Sequence, residues 1–363
     1  MCSKRLRRAA PRTTNPAAPP SRGLSIIELM VGLVVALLVS LAVVTTALSF
    51  SASQRQSIGA TGAAVNSVAV LTTLKDDVSV AGLGFFGDAT YLCRTLNFSV
   101  AANVVVNGAA FSPLQVQRTA NGDIIDVVFG TRVESGANVR LREANNGSSS
   151  ALESYLPVSV GDAVLLAPAT PDPAQPCLVR SVTQVTNAAG GASQMLAFAG
   201  TGRHNGAAFT TAPAFNDDGR ITQLGTVNWV RYRVVGGNLL VERPLEGTSA
   251  IMARNVVSFR MQYGVSANTP GSTTLEAWVD PTNDFAVVDG DRLPRIRAVR
   301  IGLIVRSPQV EKADAAGNCS ATADKPRLWL NPPENLDNAD WNCWRYRTST
   351  VVAPLRNLVL GQQ

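Results

Sequence analysis

The stretch Arg22-Gly23-Leu24-Ser25-Ile26-Ile27-Glu28-Leu29-Met30-Val31-Gly32 marks a sharp change in the character of the chain. Upstream of it, Lys4, Arg5, Arg7, Arg8, Arg12 and Arg22 stand without any acid, and Pro11, Pro16, Pro19 and Pro20 oppose regular structure. These six basic residues account for the whole formal net charge of +6. The basic balance therefore belongs to a leader and not to a nucleic-acid or anionic-membrane surface. Downstream, Leu29 to Gln54 contains no charge and no proline. That run exceeds the ~20 residues a helix needs to cross a bilayer. Helix is also the form that satisfies its own backbone in lipid. The basic flank predicts that the N-terminus stays in the cytoplasm and the remainder is exported.

A cleaved secretory signal fits this pattern poorly. The apolar run is longer than a typical h-region of ~7–15 residues, and Thr45-Thr46-Ala47-Leu48 is a weak substitute for an Ala-x-Ala site. One detail argues against a plain anchor, which is otherwise the main alternative. Glu28 opens the run, where a carboxylate is costly and so points to function.

The quoted stretch resembles the class III signal of type IV prepilins and pseudopilins. The resemblance implies cleavage after Gly23 by a prepilin peptidase, N-methylation of the new first residue Leu24, and an assembly role for Glu28. The physical logic is a charge balance. An α-amine at the edge of an apolar filament core needs a carboxylate from a neighbouring helix, because an unpaired buried charge is expensive.

From Arg55 to Val80 there is still no proline, and Val65, Val68, Leu71, Leu74 and Val78 recur at helical spacing. Lys75, Asp76 and Asp77 read as a solvated face, and Ala81-Gly82-Leu83-Gly84 as the stop. Residues 25–80 predict a rod of roughly 80 Å at ~1.5 Å per residue. Gly82-Leu83-Gly84-Phe85-Phe86-Gly87 matches the G-x-G-x-x-G dinucleotide pattern, but it follows a helix where that motif needs a strand. The glycines read instead as the end of the helix.

Beyond residue 90 the chain reads as short Val-, Ile- and Leu-rich strands between Gly, Asn, Asp and Pro clusters. Candidate strands are Asn103–Val106, Ile124–Phe129, Val139–Arg142, Ala163–Ala167, Leu178–Val185, Met195–Phe198, Val227–Val235, Asn238–Arg243, Val256–Tyr263 and Ile296–Val305. Gly236-Gly237 between two of them signals a hairpin. Ala188–Asp218, Ser266–Thr274 and Glu311–Pro326 read as loops.

Three further segments resemble PilW-type minor pilins: Val256 to Val265 with its Tyr-Gly-Val ending, Ile296 to Ser307 with arginines outward and aliphatics inward, and Arg345 to Asn357 with its Leu-Arg-Asn ending. Leu74 to Gly82 is similar to their helix end. Pro354 departs from the pattern and favours an interrupted or edge strand. About 100–220 carries no resemblance.

Cys2 leaves with the leader. Cys93, Cys177, Cys319 and Cys343 remain, an even number suited to an oxidising compartment. Three pairings are possible, and Cys93–Cys177 with Cys319–Cys343 is favoured because near neighbours in sequence meet most easily. A zinc site lacks a C-x-x-C pair and has a single histidine to draw on. That histidine, His204, lies in a turn-like Gly-rich loop and reads as exposed; no G-x-S-x-G elbow accompanies it. Asp280, Asp284, Asp289 and Asp291 are weak candidate calcium ligands without EF-hand spacing, and turn formation is the plainer account. Trp341, Trp344 and Tyr346 beside Cys343 read as packing around a disulfide or as a recognition patch. No constellation supports an enzyme, and no resident cofactor is expected.

The expected fold is α+β: one long N-terminal hydrophobic α-helix followed by a large mainly antiparallel β head, the lollipop arrangement of pilins. The expected parts are 1–23 as a removed leader, 24–54 as the transmembrane or filament-core half of the helix, 55–82 as the amphipathic half, and 83–363 as a disulfide-containing β-rich head. The resemblance implies a minor pilin of a type IV pilus system in a Gram-negative bacterium, held in the inner membrane with a periplasmic head and then carried to the cell surface. Its partners would be other minor pilins, the major pilin, the prepilin peptidase and the inner-membrane assembly platform. A type II secretion pseudopilin and a membrane-tethered adhesin are the alternatives; the sequence does not decide whether nucleic acid is bound.

Overall fold

The uncharged, proline-free run forms α1 (Ile26–Ser79). The computed structural model describes residues 25–87, 90–132, 138–188, 193–268, 272, 274–311, 313–314, 316–329, 336 and 339–355. Gly23 and Leu24 lie outside them. The chain divides into two compact units at Ser57/Ile58.

In the second unit α1 ends at the expected place. Gly82 and Gly84 adopt φ of +76° and +84°, in the left-handed region open to glycine. Their backbone turns directly onto a sheet. Gly82 N–H donates to the Val128 carbonyl at 2.9 Å, and Gly130 N–H donates to that of Leu83 at 2.9 Å. The G-x-G pattern is therefore a helix stop and a docking point.

Twenty strands follow: β1 (Phe86–Gly87), β2 (Thr90–Tyr91), β3 (Thr95–Val100), β4 (Asn103–Ala110), β5 (Leu114–Gln117), β6 (Ile124–Gly130), β7 (Val139–Arg140), β8 (Ser149–Leu152), β9 (Ala163–Ala167), β10 (Cys177–Ser181), β11 (Gln184–Asn187), β12 (Gln194–Ala197), β13 (Arg220–Gly225), β14 (Val227–Val235), β15 (Asn238–Arg243), β16 (Thr248–Ala253), β17 (Val256–Ser266), β18 (Leu275–Val279), β19 (Ile296–Arg306) and β20 (Tyr346–Pro354), counted among the described residues. Besides the β1–β2 ribbon they form sheets ordered β4-β3-β10-β9-β13-β7, β11-β12-β8, β16-β15-β14-β6-β5 and β18-β17-β19-β20. Pairing is antiparallel except between β3 and β10, where Cys177 and Leu178 lie parallel to Leu96 and Asn97. The fold is α+β, as expected.

β9 explains the layering. All five of its residues are buried, as a strand covered on both faces must be. Leu165 faces the main core with Leu74, Val78, Phe85, Phe98, Tyr232, Phe259 and Tyr263. Leu166 faces a second core with Leu141, Leu152, Leu156, Leu178, Leu196 and Ile221. That second core belongs to an insertion. Gly130 and Val227 are direct partners in the last rung of the β6–β14 pair, so residues 131–226 leave and return at that one rung.

Gly236 and Gly237, with φ of +55° and +74°, join β14 to β15 as a hairpin. β20 is an edge strand with Pro354 as its last residue, which is where proline is tolerated. Both favoured disulfides are present: Cys93–Cys177 and Cys319–Cys343, with Cα separations of 5.6 and 4.8 Å.

Several expectations need correction. Val68 is 60% exposed; the buried stripe of α1 runs through Ser67, Val70, Leu71, Leu74 and Val78. Asp77 is not on a solvated face, because it turns inward to a tyrosine. Arg297 is not outward; it is 7% exposed and donates to the Ser272 carbonyl. His204 is not exposed, and its burial is described below.

Candidate assembly helix

The apolar segment Ile26–Ala47 is exposed along its whole length. An amphipathic helix would show one wet face; this one is apolar all round, which suits a bilayer or a helix-packed core. Its few hydroxyls are satisfied internally. Ser40 donates to the Leu37 carbonyl at 2.9 Å, Thr45 to Ala42 at 2.9 Å and Thr46 to Ala42 at 2.8 Å. They need nothing from an apolar surrounding. Glu28, in the first turn, is the one ionisable group of the segment and is exposed. Among the described residues none pairs with its carboxylate. The helix N-terminus, where the Ser25 carbonyl accepts from Leu29 N–H at 3.1 Å, carries a partial positive charge that favours an acid there.

The second unit holds the far end of α1 by packing and by polar ties. Leu74 and Val78 are fully buried in the main core. Asp77 accepts a hydrogen bond from the Tyr232 hydroxyl. Burial raises the Asp77 pKa above its ordinary value, against the pull of that hydroxyl and of Arg243. Ser67 and Ser349 hydroxyls meet at 3.1 Å, linking α1 to β20. Sequence reasoning missed Tyr232, although its position in Val227–Val235 alternates with Val230 on the buried side.

A second buried carboxylate was also missed. Asp123, fully buried before β6, contacts Arg118 Nε at 2.8 Å and Arg260 Nη1 at 3.1 Å and accepts Met261 N–H at 2.7 Å. Burial pushes its pKa up while Arg118, Met261 and Arg260 oppose the rise. Arg118 reaches on to Asp280 at 3.0 Å, so the cluster ties the β6 sheet to the β17 sheet. Isolated charges spread across 118–280 carry no local signal of such convergence.

Three of the four candidate calcium acids are engaged in ion pairs. Asp280 takes Arg118, Asp289 takes Arg292, and Asp291 takes Arg94 at 2.7 Å. Among the described residues no group of three or more His, Cys, Asp or Glu is placed to hold a metal ion.

His204 is 3% exposed. Its Nδ1 lies 2.7 Å from the Ser99 carbonyl, and its ring centroid is 5.1 Å from that of Phe98. Burial lowers its pKa, with Arg203 adding to the effect and the Ser99 bond opposing it. The loop is a wedge: beyond the short parallel pairing of β3 with β10, Arg203 and His204 bond to Ala101 and Ser99, and the Asn205 amide bonds both backbone groups of Ser181. Trp341, Trp344 and Tyr346 are half-buried near Cys343, with Arg306 4.3 Å from the Trp344 ring and Lys325 5.8 Å from that of Trp341.

Residues 238–357 match the family model for the type IV pilus-assembly protein W. The match supports a type IV pilin-like family. The PilW-matching segment holds β15 and β16, the whole β18-β17-β19-β20 sheet and the Cys319–Cys343 disulfide. It contains the three C-terminal stretches singled out above and excludes the insertion at 131–226. It also carries Ser349, which touches α1. A solved type IV-like pilin from Thermus thermophilus is similar at 12% identity, over 81% of this chain and 96% of that one, with a TM-score of 0.32. No curated protein matches. The PilW match supports a type IV pilus-associated protein.

Proposed function

We propose that the chain is a minor pilin, a structural and priming subunit of a type IV pilus. The observation that carries this is Glu28, the sole ionisable group of an exposed 22-residue apolar helix, in a chain whose last third matches PilW. The helix first anchors the protein in the inner membrane with the head outside the cytoplasm. A prepilin peptidase removes residues 1–23 and methylates Leu24. The assembly platform then draws the helix into a helix-packed core among other minor pilins and the major pilin. There the Glu28 carboxylate compensates a neighbouring α-amine, because an uncompensated charge in that environment is costly.

Intact-mass measurement with N-terminal sequencing of the protein from native membranes tests the processing. A chain beginning at methylated Leu24 is expected. A chain beginning at Met1, or cut after the apolar run, would sink the pilin reading and leave a tethered or secreted β domain. Glu28→Ala should be processed normally yet enter filaments poorly. Normal piliation and normal partner pull-down with that variant would remove the role given to Glu28.

A further inference from the structure

The outer face of β19 is covered by chain that has no regular structure of its own. Val299, Ile301, Leu303 and Val305 face the main core. Alternation puts Arg300, Gly302, Ile304 and Arg306 on the other face. Leu328 sits there directly on Gly302: a Cβ at 302 would lie 2.6 Å from Leu328 Cδ2. The Trp329 ring lies 4.6 Å from the Arg300 guanidinium carbon, which has Trp278 at 4.8 Å. Ile304, on the same face, is fully buried. Yet among the described residues no helix or multi-residue strand lies between Arg306 and Trp341. Besides Leu328 and the tryptophan contact, residues 319–329 are joined to 341–344 by the Cys319–Cys343 bond, by the Thr322 hydroxyl donating to the Trp344 carbonyl and by Lys325 over the Trp341 ring. The Asn342 amide braces the disulfide by donating to the Cys319 carbonyl at 3.0 Å, and Thr322 N–H donates to the Asn342 carbonyl at 3.2 Å.

The two disulfides differ in access. Cys93 and Cys177 are 0% exposed, whereas Cys319 and Cys343 are half-buried. Disulfide exchange needs a thiolate to reach a sulfur. The folded protein therefore presents one of its two disulfides to a dithiol.

We infer that Cys319–Cys343 is a reducible latch, and that opening it releases residues 319–329 from the outer face of β19. A dithiol thiolate attacks one sulfur and breaks the S–S bond, and the departing cysteine takes a proton. The second thiol of the reagent then displaces the other cysteine. The net change is two cysteine thiols gained and one dithiol oxidised. What is uncovered is apolar and aromatic: Ile304, the Gly302 backbone and the Trp278–Arg300 pair.

The test uses the full chain in detergent, treated with graded dithiothreitol, trapped with iodoacetamide and mapped by peptide mass. Cys319 and Cys343 should be labelled at reductant levels that leave Cys93 and Cys177 unlabelled. Trypsin should then cut the Arg327–Leu328 bond on the order of tenfold faster, since cleavage follows local opening. Labelling of all four cysteines together would overturn the inference, as would selective reduction that leaves Arg327–Leu328 resistant. Leu328→Ala, kept oxidised, supplies the control and should remain largely protected. Cleavage of that variant as fast as the reduced protein would show that the leucine seat, not the disulfide, holds the segment.

Discussion

His204 is the protein's sole histidine, and its burial makes one side chain responsible for a pH response. Its folded-state pKa is lowered, so between the ordinary value and the lowered one the unfolded chain binds a proton that the folded head refuses. Stability is therefore present above about pH 6.5 and falls below it, by up to about 1.4 kcal/mol per pH unit. Asp77 and Asp123 act with the opposite sign, because burial raises their folded pKa values and acidification relieves them. Urea titrations at pH 7 and 5.5 should show the wild type losing stability on acidification. His204→Asn, which retains a donor for Ser99, should flatten or reverse that slope; an unchanged slope would remove the role given to the imidazole. The sequence hid this residue because Gly202 and Gly206 beside it look like an exposed turn. Its partners Ser99 and Ser181 lie 105 and 23 positions away.

At the scale of elements, what was legible was local. The apolar run, Glu28, the glycine stop and the strands Val227–Val235 and Asn238–Arg243 follow from composition and spacing within a few residues, and the structure places them there. β3 was invisible because Asn97 and Ser99 break its apolar pattern. Both are fully buried, and both are satisfied by distant chain: the Asn97 amide by the Thr211 carbonyl at 3.1 Å, the Ser99 hydroxyl by that of His204 at 3.3 Å. β13 and β16 fell within polar or small-residue stretches for the same reason, and the parallel β3–β10 contact has no local signature. The docking of α1 onto the head gives a prediction at this scale. A Cβ on Gly130 would lie 2.5 Å from the Leu224 carbonyl oxygen, a backbone atom that cannot swing aside. Gly130→Ala should thus cost about 2–3 kcal/mol in chemical denaturation, more than a surface substitution of the same size. Leu74→Ala, which empties a fully buried seat on the helix, should cost about 2–5 kcal/mol. A loss below about 0.5 kcal/mol for Leu74→Ala would mean that the helix end is not docked as described, and the same result for Gly130→Ala would contradict the close approach of β6 to Leu224.

For the molecule as a whole, Cys93–Cys177 joins chain 84 positions apart across the β3–β10 contact. In the chain-entropy account its removal costs about 4–5 kcal/mol, against roughly 3 for Cys319–Cys343. Cys93→Ala with Cys177→Ala should accordingly lower the denaturation midpoint further than the matching change at 319 and 343. Equal losses would contradict that order. The insertion at 131–226 has a different consequence, one of timing. Asp126 and Trp229 bond across neighbouring strands although 103 positions separate them. Closing that rung early would require ordering a very long loop for little return, so the intervening segment condenses first. Until it does, β6 and β14 remain bare edges seeking hydrogen-bond partners, and any neighbouring chain can supply them. The hazard for a newly made copy is thus crowding: its yield depends on how many siblings emerge beside it while that seam stands open.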